Sequence, residues 1–385
     1  ESLTSVVMTR LSSLGGDLYV HDNNVLTGIE LPLLSTVDGY LQTRDNDMMT
    51  SLILPSLETV GDYLYIYDEY ALTSLDMPTL QSVGSYLYVR NADSLTLLEM
   101  PALTSIGKGL YIHRSDALLD LDGLSNVATV GDDLSIYGND LLSSLAGLSN
   151  LSAVGGDFHV YANDSLDSID IPNLGTVDGF LCFHGSEALN SVGLLALETV
   201  GLYLSIEDND ALTDLAGLSG LTTIGGDLVI DGNDMLDVVS GLANLESVQG
   251  NVALGDNAVL GELSGLSSLV SVGGDVAIQD NPSVINLDGL SALEYVGGDL
   301  QIHDNAAMVS VAGLSNLATV VGTVQIKDSP SLSAVDLPSL TSVGIFAVYN
   351  CFAMVSISAP SLVAVESYVT IFWNGSLTTL ADFNN

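Results

Sequence analysis

The chain has 385 residues, with 48 Asp or Glu against 6 Lys or Arg, a formal net charge of −42 and a calculated pI of about 4.1. That balance excludes nucleic acid and anionic membrane as general partners. Yet 47% of the residues are apolar and the mean hydropathy is +0.43, which excludes a disordered acidic tail and requires a substantial core.

From Leu14 onward one phrase, Val-Gly-Gly-Asp-Leu-x-Ile, returns with its first residue at Leu14, Val37, Val60, Val83, Ile106, Val130, Val154, Val177, Val200, Ile224, Val248, Val272, Val296, Val320, Val343 and Val365. The spacing is 22 to 24 residues throughout. Sixteen copies leave no room for a linker, so residues 1–385 are expected to form one solenoid. Within a copy, Gly-Gly-Asp signals a turn, and the alternation that follows, as in Leu64-Tyr65-Ile66-Tyr67 or Leu300-Gln301-Ile302-His303, predicts a strand with one face inward.

Nine residues after the anchor, ten copies carry Asn, at 23, 46, 139, 163, 209, 233, 257, 281, 305 and 374. An amide there is expected to bond the backbone of successive turns rather than a ligand. Single apolar residues then return at short intervals, for example Leu72, Leu75, Met77 and Leu80, which suits short strands and leaves little helix. The predicted fold is all-β: a single long solenoid, parallel β-helix or leucine-rich-repeat-like, of about sixteen coils. At about 4.8 Å per coil it would be a rod on the order of 75 Å long.

The run Leu-x-x-Val-Gly-Gly-Asp-Leu-x-Ile-x-x-Asn-x-x-Leu-x-x-Leu-x-Gly-Leu, nearly intact from Leu221 to Leu242, resembles the leucine-rich solenoid of receptor L domains. The Leu-Pro-Ser-Leu variants, at Leu54 to Leu57 and Leu337 to Leu340, resemble fungal cell-wall proteins with the same repeat. The resemblance implies an extracellular or cell-surface recognition or wall-associated role and carries no catalytic residues. The chain lacks the Cys-rich modules of growth-factor receptors.

The outward strand residues stand five and seven positions after each anchor, one position earlier in the shortened copy at Val343. In the first eight copies, 13 of these 16 positions are Tyr, His or Arg; in the next five copies only His303 qualifies among ten. All five His fall on these columns along the chain, against two of the 48 acids. The candidate binding residues are Tyr19, His21, Arg44, Tyr65, Tyr67, Tyr88, Arg90, Tyr111, His113, Tyr137, His159, Tyr161 and His184, joined by Tyr63 and Tyr86 from the column three after the anchor, where Tyr40 also stands. Rigid aromatics with intermixed donors on an acidic body suit a binding face. A Tyr ladder that only stabilises an exposed sheet is the competing explanation, and Arg44 and Arg90 could equally relieve charge.

Glu207 and Asp231 share a column in adjacent copies, at a separation a retaining glycosidase uses, with His184 one copy earlier. A flat, exposed wall makes catalysis remote, and no enzyme is expected. Cofactors are not expected either, although Asp45-Asn46-Asp47, Asp208-Asn209-Asp210 and Asp231-Gly232-Asn233-Asp234 gather oxygen donors of the kind calcium takes. Cys182 and Cys351 lie about seven coils apart and are expected not to pair with each other. Sequons occur at Asn150, Asn163 and Asn374. No apolar run approaches the roughly 18 residues of a membrane span, and Glu1 opens neither a signal nor a transit peptide.

Two roles remain open: a surface module that holds a glycan or protein on the Tyr/His/Arg strip, and a structural protein whose rods self-associate into filaments, for which the uncapped ends at residues 1–11 and 377–385 argue. Both place the chain outside the cell or on its surface.

Overall fold

Apolar and polar residues alternate at Leu64–Tyr67, and in the computed structural model, which describes residues 3–381, that stretch is a strand with Leu64 and Ile66 buried and both tyrosines half-buried on the outer face. A two-residue strand ending on the anchor, Thr59–Val60, precedes it. Both elements recur in coil after coil. Register is parallel and unshifted here: Tyr65 pairs with Tyr88 and Tyr88 with Tyr111, while Tyr67 pairs with Arg90 and Arg90 with His113. The result is the expected all-β solenoid of about sixteen parallel turns. Among the described residues the only helical elements are five 3₁₀ turns of three residues.

The chain divides into two compact units, Glu1–Leu197 and Glu198–Asn385. Coils 1 to 8, with anchors Leu14 to Val177, belong to the first, and coils 9 to 16, with anchors Val200 to Val365, to the second. Inside each unit the core is a set of columns. Leu64, Leu87, Leu110 and Leu134 make one in the first unit, and Ile206, Ile230, Leu254 and Ile278 one in the second, all without exposed surface. Where the column type changes, neighbours compensate: Phe158 and Phe183 enter adjacent coils of the first unit and meet edge to face at 5.7 Å.

Inside each unit two polar ladders tie neighbouring coils together. In the second unit Asn233, Asn257, Asn281 and Asn305 are fully buried, and the Oδ1 of each accepts the backbone N–H of the Asn one coil earlier at 3.1 to 3.2 Å. Their Nδ2 groups donate to backbone carbonyls, as Asn257 does to Ile230 at 2.9 Å and Gly255 at 2.6 Å. Asn139 and Asn163 do the same in the first unit. The second ladder belongs to the Asp of Gly-Gly-Asp. It is more than a turn residue, because its carboxylate accepts the N–H of the next coil: Asp133 from Asp157, Asp157 from Phe180, Asp275 from Asp299.

One corner per coil is left-handed, eight residues after the anchor and one earlier in the shortened coil at Val343. Thirteen of these sixteen residues are not glycine, and eight are Asp, whose short side chain tolerates that conformation. Arg114 is one of them, at φ 50°.

The third wall takes two forms. Coils of 23 residues place a strand there, as Ser51–Ile53 pairs with Ser74–Asp76, and most then turn through an apolar residue and Pro, such as Leu54-Pro55 or Met77-Pro78. Five of the seven coils of 24 residues fold the extra residue into a 3₁₀ turn such as Ser264–Leu266. The glycine of that turn is obligatory for packing, since a Cβ on Gly265 would lie 1.7 Å from the Val239 carbonyl oxygen of the coil before. G265A is therefore expected to lose about 3 kcal/mol through forced backbone separation, whereas G261A, whose nearest atom would be 3.8 Å away, stays within about 0.5 kcal/mol. Urea unfolding of the two variants gives the comparison.

Candidate functional site, an aromatic wall in the first unit

Outward residues of coils 1 to 8 form an unbroken chain of ring contacts. It runs from His21 and Tyr19 (4.1 Å) through Tyr40, Tyr63, Tyr86, Tyr111, Tyr88, His113, Tyr137, Tyr161 and His159 to Phe180, with steps of 4.0 to 6.3 Å between centroids. Tyr65 joins by stacking on Tyr63 at 5.1 Å and meeting Tyr88 edge-on at 5.6 Å. The wall thus brings together the sequence-derived tyrosines, and it extends to Phe180, which sits in the same column as Tyr63.

Coils 2 to 5 depart from the repeat in one informative way. The ladder Asp is replaced there by Tyr40, Tyr63, Tyr86 and Gly109. Three coils give up a carboxylate rung for a ring. Gly109 makes room instead: its Cβ would fall 2.3 Å from the Tyr111 ring, which lies back over it so that the phenol donates to Asp133 at 3.0 Å. Burial, together with that contact, pushes the Tyr111 phenol well above its usual range.

Two shallow depressions follow from this packing. Tyr65, Tyr86, Tyr88, Tyr111 and His113 line one of about 460 Å³, and Gln42, Tyr65, Tyr67, Tyr88 and Arg90 line another of about 270 Å³. They share Tyr65 and Tyr88, so they form one elongated groove across coils 2 to 5.

Several of the polar members differ from expectation. His113 is not an exposed donor: it is 7% exposed, beneath Tyr88, Tyr111 and Tyr137, with Nε2 3.0 Å from the Ser135 hydroxyl and Nδ1 unpartnered. Burial, and then the charge of Arg90, lower its pKa to about 3, so it is a neutral floor at any physiological pH. His159 is also lowered by burial. Arg44 is taken up by Asp45 at 2.9 Å and Asp22 at 3.8 Å, and His21 by Asp22 at 2.6 Å. Arg90 lies over the Tyr67 ring at 5.6 Å, while His184 stays exposed at the last coil of the unit.

Two cations escaped the sequence analysis because they sit at corners rather than on strands. Lys108 reaches back over Tyr86 at 5.3 Å, and Arg114 reaches forward over Tyr137 at 5.6 Å. The signal available was the crowding of four of the six Lys and Arg between Arg44 and Arg114.

The other sequence-derived sites fare differently. Glu207 and Asp231 do face each other across adjacent strands of the second unit. The Ser205 hydroxyl donates to Glu207, and Asp231 lies against Gly255 with its pKa raised by burial and by Asp256 and Glu207. The calcium turns lose their amide donors to the ladders, since Asn46, Asn209 and Asn233 are buried; the Oδ1 of Asn46 accepts from Asn23 and that of Asn233 from Asn209. Among the described residues one group could present ligands to a metal: Asp280, His303 and Asp304, whose ligand atoms lie within 4.8 Å. His303 is already engaged with Asp304 at 2.8 Å. The Asn163 sequon is buried in the Asn ladder, whereas Asn150 is exposed.

No protein-family model matches the chain. No curated protein matches it either. Among solved structures, the crystal structure of a TLR13–ssRNA13 complex is similar at 13% identity and a TM-score of 0.27, over 94% of this chain and 74% of that one. A leucine-rich repeat protein from Bacteroides ovatus ATCC 8483 is similar at 14% identity and a TM-score of 0.20, over 94% of this chain and 86% of that one. No helix among the described residues is long and apolar enough to cross a membrane. The coil geometry itself makes the chain a parallel, leucine-rich solenoid with exposed aromatic residues.

Proposed function

We propose that the chain is an extracellular or cell-surface repeat protein of structural or adhesive role, of the receptor L-domain-like kind, that holds a glycan or protein on the aromatic wall of its first unit. One observation carries this reading: the wall replaces the ladder Asp with rings in three consecutive coils, at Tyr40, Tyr63 and Tyr86, giving up coil-to-coil hydrogen bonds to display aromatic surface. Sheet stability alone would favour keeping those rungs. The neutral His113 floor and the half-buried, mutually packed tyrosines make a preorganised contact surface, so little side-chain freedom is lost on binding.

The test is retention of the purified chain on insoluble polysaccharides and on glycoprotein-coated beads. Replacing Tyr65, Tyr67, Tyr88 and Tyr111 with Ser is expected to reduce retention at least tenfold with an unchanged circular dichroism spectrum; undiminished retention refutes the site. Negative-stain images of the same preparation separate adhesion from assembly, since filaments in place of single particles would favour the self-associating alternative.

A further inference from the structure

The most unusual electrostatic feature of the aromatic wall is where its acids are missing. Two residues after the anchor, coils 3 to 6 read Asp62, Ser85, Lys108 and Asp132; at the left-handed corner they read Asp68, Asn91, Arg114 and Gly138. In coils 4 and 5, then, neither of these rims carries an acid, and coil 5 carries a cation on each. Asp93 and Asp116 come next, exposed on the turn that follows the inward residue. Arg90, Lys108 and Arg114 make no ion pair within 4.0 Å among the described residues and rest on tyrosine rings instead. Arg44 and Lys327, by contrast, are paired with Asp45 and Asp328. A chain with 48 acids and 6 basic residues has kept half of its cations out of ion pairs in one place, around the larger depression.

Resting on the reading that this wall binds a ligand, we infer that coils 4 and 5 hold the carboxylate of an acidic sugar within an oligosaccharide that lies along the Tyr65–Tyr88–Tyr111 groove. The Arg90, Lys108 and Arg114 head groups, none of them in an ion pair, supply charge-assisted donors, and the ring faces supply the apolar contact for the sugar body. The flanks decide how many charges the ligand carries. Asp45 and Asp68 on one side and Asp132, Asp133 and Asp157 on the other repel a polyanion, so the window admits one or two carboxylates. A second copy of this chain, at −42, is repelled outright. An extended peptide finds no strand edge to pair with, because the strands at Leu64–Tyr67, Leu87–Arg90 and Leu110–His113 are already paired on both sides.

Calorimetric titration of the full chain with a glucuronic-acid-terminated tetrasaccharide and its glucose-terminated counterpart tests the assignment. Wild type is expected to bind the acidic sugar at least tenfold more tightly. The triple variant R90Q/K108Q/R114Q loses that preference while keeping its melting temperature, and K327Q, which removes one equal charge from the second unit, keeps the preference. Equal affinity for the two sugars in wild type, binding of neither, or a preference that survives in the triple variant overturns the inference. Those outcomes leave the aromatic wall to be judged by the retention of the tyrosine variant, which depends on no carboxylate.

Discussion

Replacing Asn257 with Ala is expected to destabilise the second unit by about 3–5 kcal/mol, as would the same change at its ladder neighbours Asn233 and Asn281. The substitution removes one acceptor and two donations at once. The Asn233 N–H loses its Oδ1 partner at 3.1 Å, and the carbonyls of Ile230 and Gly255 lose donors at 2.9 and 2.6 Å, all in the interior. Each buried group left unpaired costs about 1–3 kcal/mol. Since coils interact chiefly with their neighbours, the loss weakens two interfaces. N257S keeps a hydroxyl, as Ser115, Ser186 and Ser329 do at the equivalent position, and is expected to lose less than half as much. Urea unfolding followed by circular dichroism orders the three proteins; an Ala variant as stable as wild type would mean that the amide column is dispensable.

The same column contains a natural exception whose effect is readable in pH. Glu69 stands where an Asn is usual, fully buried, with Oε1 accepting from Asn46 at 2.8 Å, Oε2 unpartnered, and the Thr43 hydroxyl beside it. Thr43 itself replaces the Val or Ile of neighbouring coils, so the two substitutions belong together. Burial raises the Glu69 carboxyl from 4.5 to about 7, outweighing the hydrogen bond from Asn46 and the nearby Thr43 hydroxyl. The folded form therefore binds the proton more tightly than the unfolded one. Stability from this group is complete below about pH 4.5 and is lost as pH rises through about 7, a change of about 3 kcal/mol. Mutual repulsion among the 48 acids acts in the same direction. The comparison with E69Q, which keeps a neutral donor and acceptor at every pH, isolates the single carboxyl: the wild type should lose about 3 kcal/mol relative to E69Q between about pH 4.5 and 8. Parallel pH profiles for the two proteins would show that Glu69 does not titrate across this range.

Coil register was legible in the sequence because period two and a fixed anchor spacing together determine which residues share a wall. Tyr65, Tyr88 and Tyr111 needed nothing more to be placed in line. Even the shortened coil is found in phase, with Gln325 opposite Ala347 and Lys327 opposite Tyr349. The Asn column was legible too, since an amide both donates to and accepts from backbone. What escaped is what depends on distances between coils. The Asp of Gly-Gly-Asp reads as a turn residue until the next coil's N–H is seen beside it. His113 occupies an outward position but is roofed by longer rings from three coils. Arg114 stands at a left-handed corner, where the chain direction sends its side chain onto the ring of the following coil. A column diagram shows none of these reaches.

The 24-residue coils of the second unit carry an implication for how such a gene changes length. Successive anchors at Ile224, Val248, Val272 and Val296 are evenly spaced, and their 3₁₀ turns at Ser240–Leu242, Ser264–Leu266 and Asp288–Leu290 are interchangeable in phase. Replication slippage by one whole period here rejoins every inward column to its equivalent, so alleles with more or fewer turns would share one architecture. The aromatic coils have no such licence. Their letters differ from one turn to the next, and losing any one of them would delete part of the aromatic wall while leaving the scaffold intact.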